Sequence, residues 1–187
     1  MGDVVLIRHG QTEWSAIGRH TSRTDLDLTP AGAEQAVSLK DRLTDRPFAA
    51  VLSSPRQRAL QTAALLGLTV TEVTDDLAEW DYGTYEGLTS AEIRSEHPDW
   101  SLWTDGGPDG ETPDQVTVRV DRLLAHVRPM LDTGDVALVG HGHALRVVAA
   151  RWITWPASAG ARLYLGTATL SELGFEHGLP VILRWNA

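Results

Sequence analysis

Val4-Val5-Leu6-Ile7, followed at once by Arg8-His9-Gly10, decides how the chain is read. Four consecutive aliphatic residues, three of them β-branched, form the short apolar run of a strand buried on both faces. The run ends on a charged and a titratable side chain, so the strand delivers chemistry at its carboxyl end. The same pattern recurs twice. Ala50-Val51-Leu52 leads into Ser53-Ser54-Pro55-Arg56, and Val136 to Val139 leads into His141-Gly142-His143. Thr69 to Val73 is β-branched and predicts a further strand. Leu170 to Phe175 and Val181 to Trp185 predict two closing strands.

Helices are predicted between these runs. Thr29-Pro30 reads as an N-cap and first helical residue, with Ala36, Leu39 and Leu43 recurring at helical spacing. A helix from about Pro55 to Leu66 is expected to stop at Gly67. Thr112-Pro113-Asp114-Gln115 has the form of a capping box. It opens a long helix whose apolar face is Val116, Val120, Leu123, Val127 and Leu131. Another helix is predicted from about Ala144 to Trp152. Strands alternating with helices define an α/β chain: three α/β/α layers around a mostly parallel sheet. Ligands of such folds sit beyond the carboxyl ends of strands, so the three polar clusters are expected on one rim.

Composition narrows the function. The 187 residues suit a single domain spanning the chain, and the absence of cysteine excludes disulfides and thiolate metal sites. Acidic residues number 25 against 16 basic ones, a net charge of −9, which argues against a nucleic-acid partner. No apolar run is long enough for a membrane span, and Met1-Gly2-Asp3 has no basic flank of a secretory leader. No membrane partner and a cytoplasmic address are therefore expected. The acidity is concentrated. Between Trp80 and Asp114 nine acidic residues face Arg94 alone, in a segment rich in glycine and tryptophan. It predicts a small cap insert, residues 80–114, giving the site an acidic rim.

If the clusters converge, the rim offers Arg8, Arg56, His9 and His141. Guanidinium forks suit phosphate oxygens, and a neutral imidazole is a competent nucleophile. Glu79, after Leu77-Ala78 at a predicted strand end, is a candidate acid for a leaving alkoxide. His141-X-His143 has the spacing of a metal pair on a strand, but no third ligand accompanies it, so no metal and no cofactor are expected.

The motifs together resemble the histidine phosphatase superfamily, also called the phosphoglycerate-mutase-like family. Leu6 to Trp14 is similar to its Arg-His-Gly signature, continued by Gly18-Arg19-His20-Thr21, Leu28-Thr29 and Gly32. Ser53 to Arg56, with Ala59, Gln61 and Thr62, resembles its second arginine motif. Leu77 to Gly83, with Tyr85-Glu86-Gly87, resembles its acid motif, and Gly140-His141-Gly142 its second histidine. The bacterial acid phosphatase and sugar-bisphosphatase branch is the most similar. The resemblance implies that His9 becomes phosphohistidine, with Arg8, Arg56 and His141 completing the phosphate pocket. It implies that Glu79 protonates the leaving group and then activates water. Gln11, Thr12, Ser15, Thr21 and Ser22 are implied pocket residues, as are Tyr82 and Gly142. Many members carry asparagine where this chain has Ser15.

The expected activity is hydrolysis of small phosphate monoesters, an acid phosphatase. A cofactor-dependent phosphoglycerate mutase is the alternative, disfavoured by the single basic residue of the cap. A non-catalytic phospho-ligand binder is disfavoured by the presence of both His9 and Glu79. The sequence leaves the oligomeric state open, a homodimer included.

Overall fold

The computed structural model describes residues 1–187. Six strands form one sheet: β1 (Val4–Arg8), β2 (Phe48–Ser53), β3 (Glu72–Val73), β4 (Asp135–Gly140), β5 (Leu170–Glu176) and β6 (Leu179–Arg184). Their order is β3-β2-β4-β1-β5-β6. The first four are mutually parallel, while β5 and β6 run antiparallel at one side. Side chains alternate faces along each strand. Val4, Leu6, Leu52, Val136 and Leu138 face one core. Val5, Ile7, Val51, Ala137 and Val139 face the other.

Helices cover both faces, giving the three expected layers. On the first face lie α6 (Pro113–Val127) and α7 (Gly142–Trp152). The capping box at Thr112 and Gln115 forms, and Val116, Val120, Leu123 and Val127 are buried. Leu131 is buried too, but in a 3₁₀ turn, Arg128–Asp132, that follows the helix. On the second face lie α2 (Pro30–Ser38) and α3 (Gln57–Leu65). The remaining helices are short: α1 (Glu13–Ala16), α4 (Ser90–Glu96) and α5 (Leu102–Asp105).

Three elements differ from sequence expectation. The helix from Pro30 ends at Ser38, and Lys40–Arg42 tightens into a 3₁₀ turn that still buries Leu39 and Leu43. β3 is two residues long because the Thr71 hydroxyl takes a ladder position, accepting from Val51 N at 3.0 Å. α3 starts at Gln57 because Arg56 is extended, with its N–H turned to Ser54 Oγ at 3.3 Å.

The segment 80–114 packs Trp80, Tyr82, Ile93, Trp100 and Leu102 into the same core as α6 and α7. The loop after β1 is wedged from the opposite face. Gly32, in the first turn of α2, lies so close to Gln11 that a Cβ there would collide with the Gln11 carbonyl oxygen. Because backbone meets backbone, no rotamer change relieves the clash. Gly32→Ala is expected to destabilise the protein by about 2–3 kcal/mol and to displace the His9 loop. Urea denaturation of the variant, with phosphate-release activity measured in parallel, checks both effects.

Candidate active site

β2, β4 and β1 are neighbours in the sheet, so their carboxyl ends share one rim. The pairing continues one residue past each strand. His9 N donates to Gly140 O at 3.0 Å, and Ser54 N donates to Val139 O at 2.9 Å. Arg8-His9, Ser53-Ser54 and His141-Gly142 are thereby fixed against one another by backbone bonds.

His9 is buried, and its Nδ1 lies 2.7 Å from the Gly10 carbonyl oxygen. A carbonyl only accepts, so Nδ1 carries the proton and Nε2 keeps its lone pair. Burial first, then the Arg8 and Arg58 guanidiniums, hold the imidazole well below its ordinary pKa. His141 lies beside it, ring centroids 5.1 Å apart. Its Nδ1 accepts from Arg58 Nε at 3.2 Å, which leaves the proton on Nε2, 2.7 Å from Ser54 Oγ. Burial and the Arg58 charge keep this second imidazole neutral too. The pair therefore offers one nucleophilic lone pair and one N–H donor.

A cavity of about 220 Å³ opens onto His9, while His141 is fully buried beside it and does not line the cavity. Arg8, His9, Thr12 and Ser15 line it on the nucleophile side, with Thr21, Glu79, Tyr82 and Gly142 around them. Thr12 and Ser15 hold each other across the first turn of α1 in a reciprocal cap. Gly142 leaves room for Arg8, since a Cβ there would lie 3.1 Å from Arg8 Cζ. Arg8 Nη1 donates to the Leu165 carbonyl, while its Nε is buried without a partner.

Glu79 does not end a strand. It follows a 3₁₀ turn, Asp75–Leu77, and is held at the N-terminus of α7. Its Oε1 accepts from Ala144 N at 2.8 Å and Trp80 N at 2.9 Å, and its Oε2 from His143 N at 3.1 Å. Tyr82 O–H lies 2.7 Å from His143 Nδ1. Burial pushes the Tyr82 phenol well above its usual pKa and the His143 imidazole well below. The phenol therefore donates to Nδ1, and His143 carries its proton on Nε2.

Besides His141, three expected residues lie outside the cavity. Gln11 is structural: its side chain accepts from Thr29 Oγ1 at 3.1 Å, and its N–H donates to Gln35. Ser22 donates through its N–H to the Glu86 carboxylate at 2.9 Å, and its hydroxyl meets the Glu79 carbonyl. Arg56 lines a separate cavity with Ser22, Arg23 and Arg119, on the other side of Glu79, and its Nε is buried and unpartnered there. The arginine beside the two imidazoles is Arg58. It is fully buried and also donates to the carbonyls of Thr21, Ser22 and Thr24. A signal for it exists in the sequence. A side chain in the first helical turn leans back toward the preceding strand end, and Arg58 shares the buried face of α3 with Ala59, Thr62 and Ala63.

The rim also differs from expectation. None of the nine acids of the 80–114 segment lines the cavity. Glu86 accepts from the backbone of Ser22 and Thr24, Glu92 caps α4, and Glu111 pairs with Arg119 at 2.7 Å. Asp81 pairs with Arg23. The cavity is lined instead by Arg19, His20, Ser90, His143 and Arg146 in addition to the residues above. His141 and His143 are turned to different partners, and no group of three or more His, Asp or Glu side chains is arranged to hold a metal.

The chain is similar to known proteins over most of its length. Residues 4–187 match the family model of the histidine phosphatase superfamily, branch 1. An acid phosphatase of Mycobacterium tuberculosis is 48% identical over 180 residues, covering 94% of this chain and 88% of that protein. A sedoheptulose 1,7-bisphosphatase of Saccharomyces cerevisiae is 35% identical over 180 residues, covering 79% of this chain and 66% of that one. The solved structure of a Mycobacterium tuberculosis open reading frame product superposes with a TM-score of 0.93 at 45% identity, over 99% of this chain and 97% of that one. The chain belongs to branch 1 of the histidine phosphatase superfamily. It is accordingly a phosphoric monoester hydrolase of the class that works through a phosphohistidine intermediate.

The buried imidazoles make stability depend on pH with a definite sign. His9, His141 and His143 are held below 6.5 in the folded chain. Below that pH the unfolded chain binds protons that the folded one refuses. Stability is thus complete above about pH 6.5 and falls on acidification, by up to about 1.4 kcal/mol per pH unit for each histidine. Burial lowers His20 as well, so urea titrations between pH 7 and 5 check this, and His143→Gln is expected to flatten the slope by about a quarter.

Proposed function

We propose that the chain is an acid phosphatase for small phosphate monoesters, with His9 Nε2 as its nucleophile. The observation that carries the reading is the Gly10 carbonyl on His9 Nδ1, which leaves a lone pair on Nε2 at the cavity wall. That lone pair attacks phosphorus, and the bond to the alcohol oxygen breaks. Glu79 gives a proton to the departing oxygen. It then takes one from a water that attacks the phosphohistidine, which releases phosphate and restores His9. The buried, unpartnered Arg8 Nε is the donor for a phosphoryl oxygen. His141 Nε2–H supplies a second donor, turned from Ser54. Arg58 adds charge behind both imidazoles and fixes the His141 tautomer; Thr12, Ser15 and Thr21 line the phosphate side.

A cavity of about 220 Å³ suits small substrates, being below the ~300–1,000 Å³ of drug-sized sites. Burial keeps His9 unprotonated below neutrality, which supports turnover on the acid side. The core shared by 80–114 with α6 and α7 supports one unit with that segment as its cap. Action on free metabolites in place of nucleic acid or anionic membrane surfaces is supported by the net charge of −9. No helix is long and apolar enough to cross a membrane.

The test is phosphate release from a panel of small monoesters, with no interconversion of 3- and 2-phosphoglycerate. His9→Ala is expected to abolish it with the fold intact. Wild type denatured in alkali during turnover is expected to carry protein-bound phosphate that is stable in alkali and lost on acidification. The two arginines separate cleanly. Arg58→Lys, which keeps charge but loses the fork, is expected to cut kcat by about 100-fold or more. Arg56→Lys is expected to stay within about fivefold, since Arg56 lies outside the nucleophile's cavity. Steady-state kinetics of both variants on phenyl phosphate checks the assignment.

A further inference from the structure

Resting on the phosphatase reading, we propose that Asn186 is a positioning residue for Arg8, acting through the single peptide unit that joins Leu165 to Gly166. The carbonyl of this unit accepts from Arg8 Nη1, and its N–H donates to Asn186 Oδ1 at 2.7 Å. A trans peptide is planar, with its C=O and N–H pointing in opposite directions. One side chain therefore holds each end of the same rigid plate. Turning the plate would break both bonds at once, so the Asn186 amide sets where the carbonyl points.

That carbonyl matters because little else holds the Arg8 side chain. Its guanidinium makes this one hydrogen bond to the protein, and its Nε is buried without a partner. Arg46, by contrast, is clamped between Asp135 and Glu172. An arginine side chain has large rotamer freedom, so a lone anchor decides where the free Nε–H lies when phosphate arrives. The turn that carries the anchor is tied to the nucleophile's own strand. Arg8 N donates to Thr169 O at 3.2 Å, and Ala168 N donates to His9 O at 3.0 Å. Thr169 Oγ1 donates to Gly166 O at 2.8 Å. None of these bonds reaches the Leu165–Gly166 peptide, whose N–H is left to Asn186.

Asn186 is fixed in its turn. Its neighbour Ala187 exchanges two backbone bonds with Leu170, at 3.0 and 3.1 Å, and Asn186 N donates to Ser171 Oγ at 2.9 Å. The Asn186 φ of 53° lies in the left-handed region, which asparagine tolerates and glycine adopts freely. Glycine would serve that backbone as well, so the amide side chain has a task of its own, and its hydrogen bond is to Gly166 N.

Two variants of the full chain separate the side chain from the backbone. Asn186→Gly keeps the left-handed conformation and removes the acceptor, whereas Asn186→Asp keeps an acceptor oxygen in the same place. Asn186→Gly is expected to raise the Ki for inorganic phosphate and to lower kcat/KM on phenyl phosphate by about three- to tenfold, the range for one neutral hydrogen bond. Asn186→Asp is expected to stay within about twofold of wild type. Nuclear magnetic resonance of the arginine side chains adds a readout that a mere strut would not move. The Arg8 Nε–H and Nη signals are expected to shift and broaden in Asn186→Gly and to return in Asn186→Asp, with those of Arg46 unchanged. If Asn186 only closes the end of the sheet, Asn186→Gly lowers the melting temperature while the Arg8 signals and the phosphate Ki stay as in wild type, and the proposal fails. It fails as well if Asn186→Asp loses as much as Asn186→Gly. Should Asn186→Gly fold poorly, Asn186→Ser, whose hydroxyl ends one bond short of Gly166 N, takes its place with the same expectations. Wild type that releases phosphate from no ester overturns the phosphatase reading, whereas unperturbed Arg8 signals overturn the positioning role alone.

Discussion

The parallel pairing of β2, β4 and β1 is the constraint on which the rest of the structure depends. Register along these strands is set by Val, Leu and Ala residues buried on both faces, and a slip of one residue would exchange the two cores. The same register fixes where the chain leaves the sheet. His9, Ser54 and His141 all emerge beyond it, tied by the bonds from His9 N to Gly140 O and from Ser54 N to Val139 O. The site inherits its precision from the sheet.

Electrostatic order is built on that frame by desolvation. Three imidazoles, two arginines and a carboxylate crowd a small volume, and each imidazole is assigned its tautomer by what it touches. Gly10 fixes His9, Arg58 fixes His141, and Tyr82 fixes His143. Arg58 couples two layers of the design. It sits on α3, holds an imidazole from β4, and gathers the 21–24 loop through three carbonyls. Its removal would loosen the site from behind as well as weaken its field.

Much of this was legible in the sequence, for identifiable reasons. Val4 to Ile7 and Val136 to Val139 announce buried strands because no polar residue interrupts them, and Thr112 to Gln115 announces a helix start because the cap chemistry is local. Convergence of the three clusters followed from topology alone. What escaped depends on side-chain direction. Arg56 and Arg58 are two residues apart, and only the start of α3 at Gln57 decides which one turns inward. The acids of 80–114 read as a charged rim, yet Glu86, Glu92 and Glu111 spend their charge on backbone N–H groups and Arg119.

On the proposed mechanism, with His9 as the nucleophile, the carbonyl of Gly10 also bears on the lifetime of the covalent intermediate. Phosphorylation at His9 Nε2 makes the remaining Nδ1–H more acidic, and a phosphoimidazole that loses this proton becomes a poor leaving group. At His9 the atom facing Nδ1 is an amide oxygen, which accepts a hydrogen bond but does not take the proton at ordinary pH. The intermediate is thus kept in its cationic, readily cleaved form, and water delivery sets how long it survives.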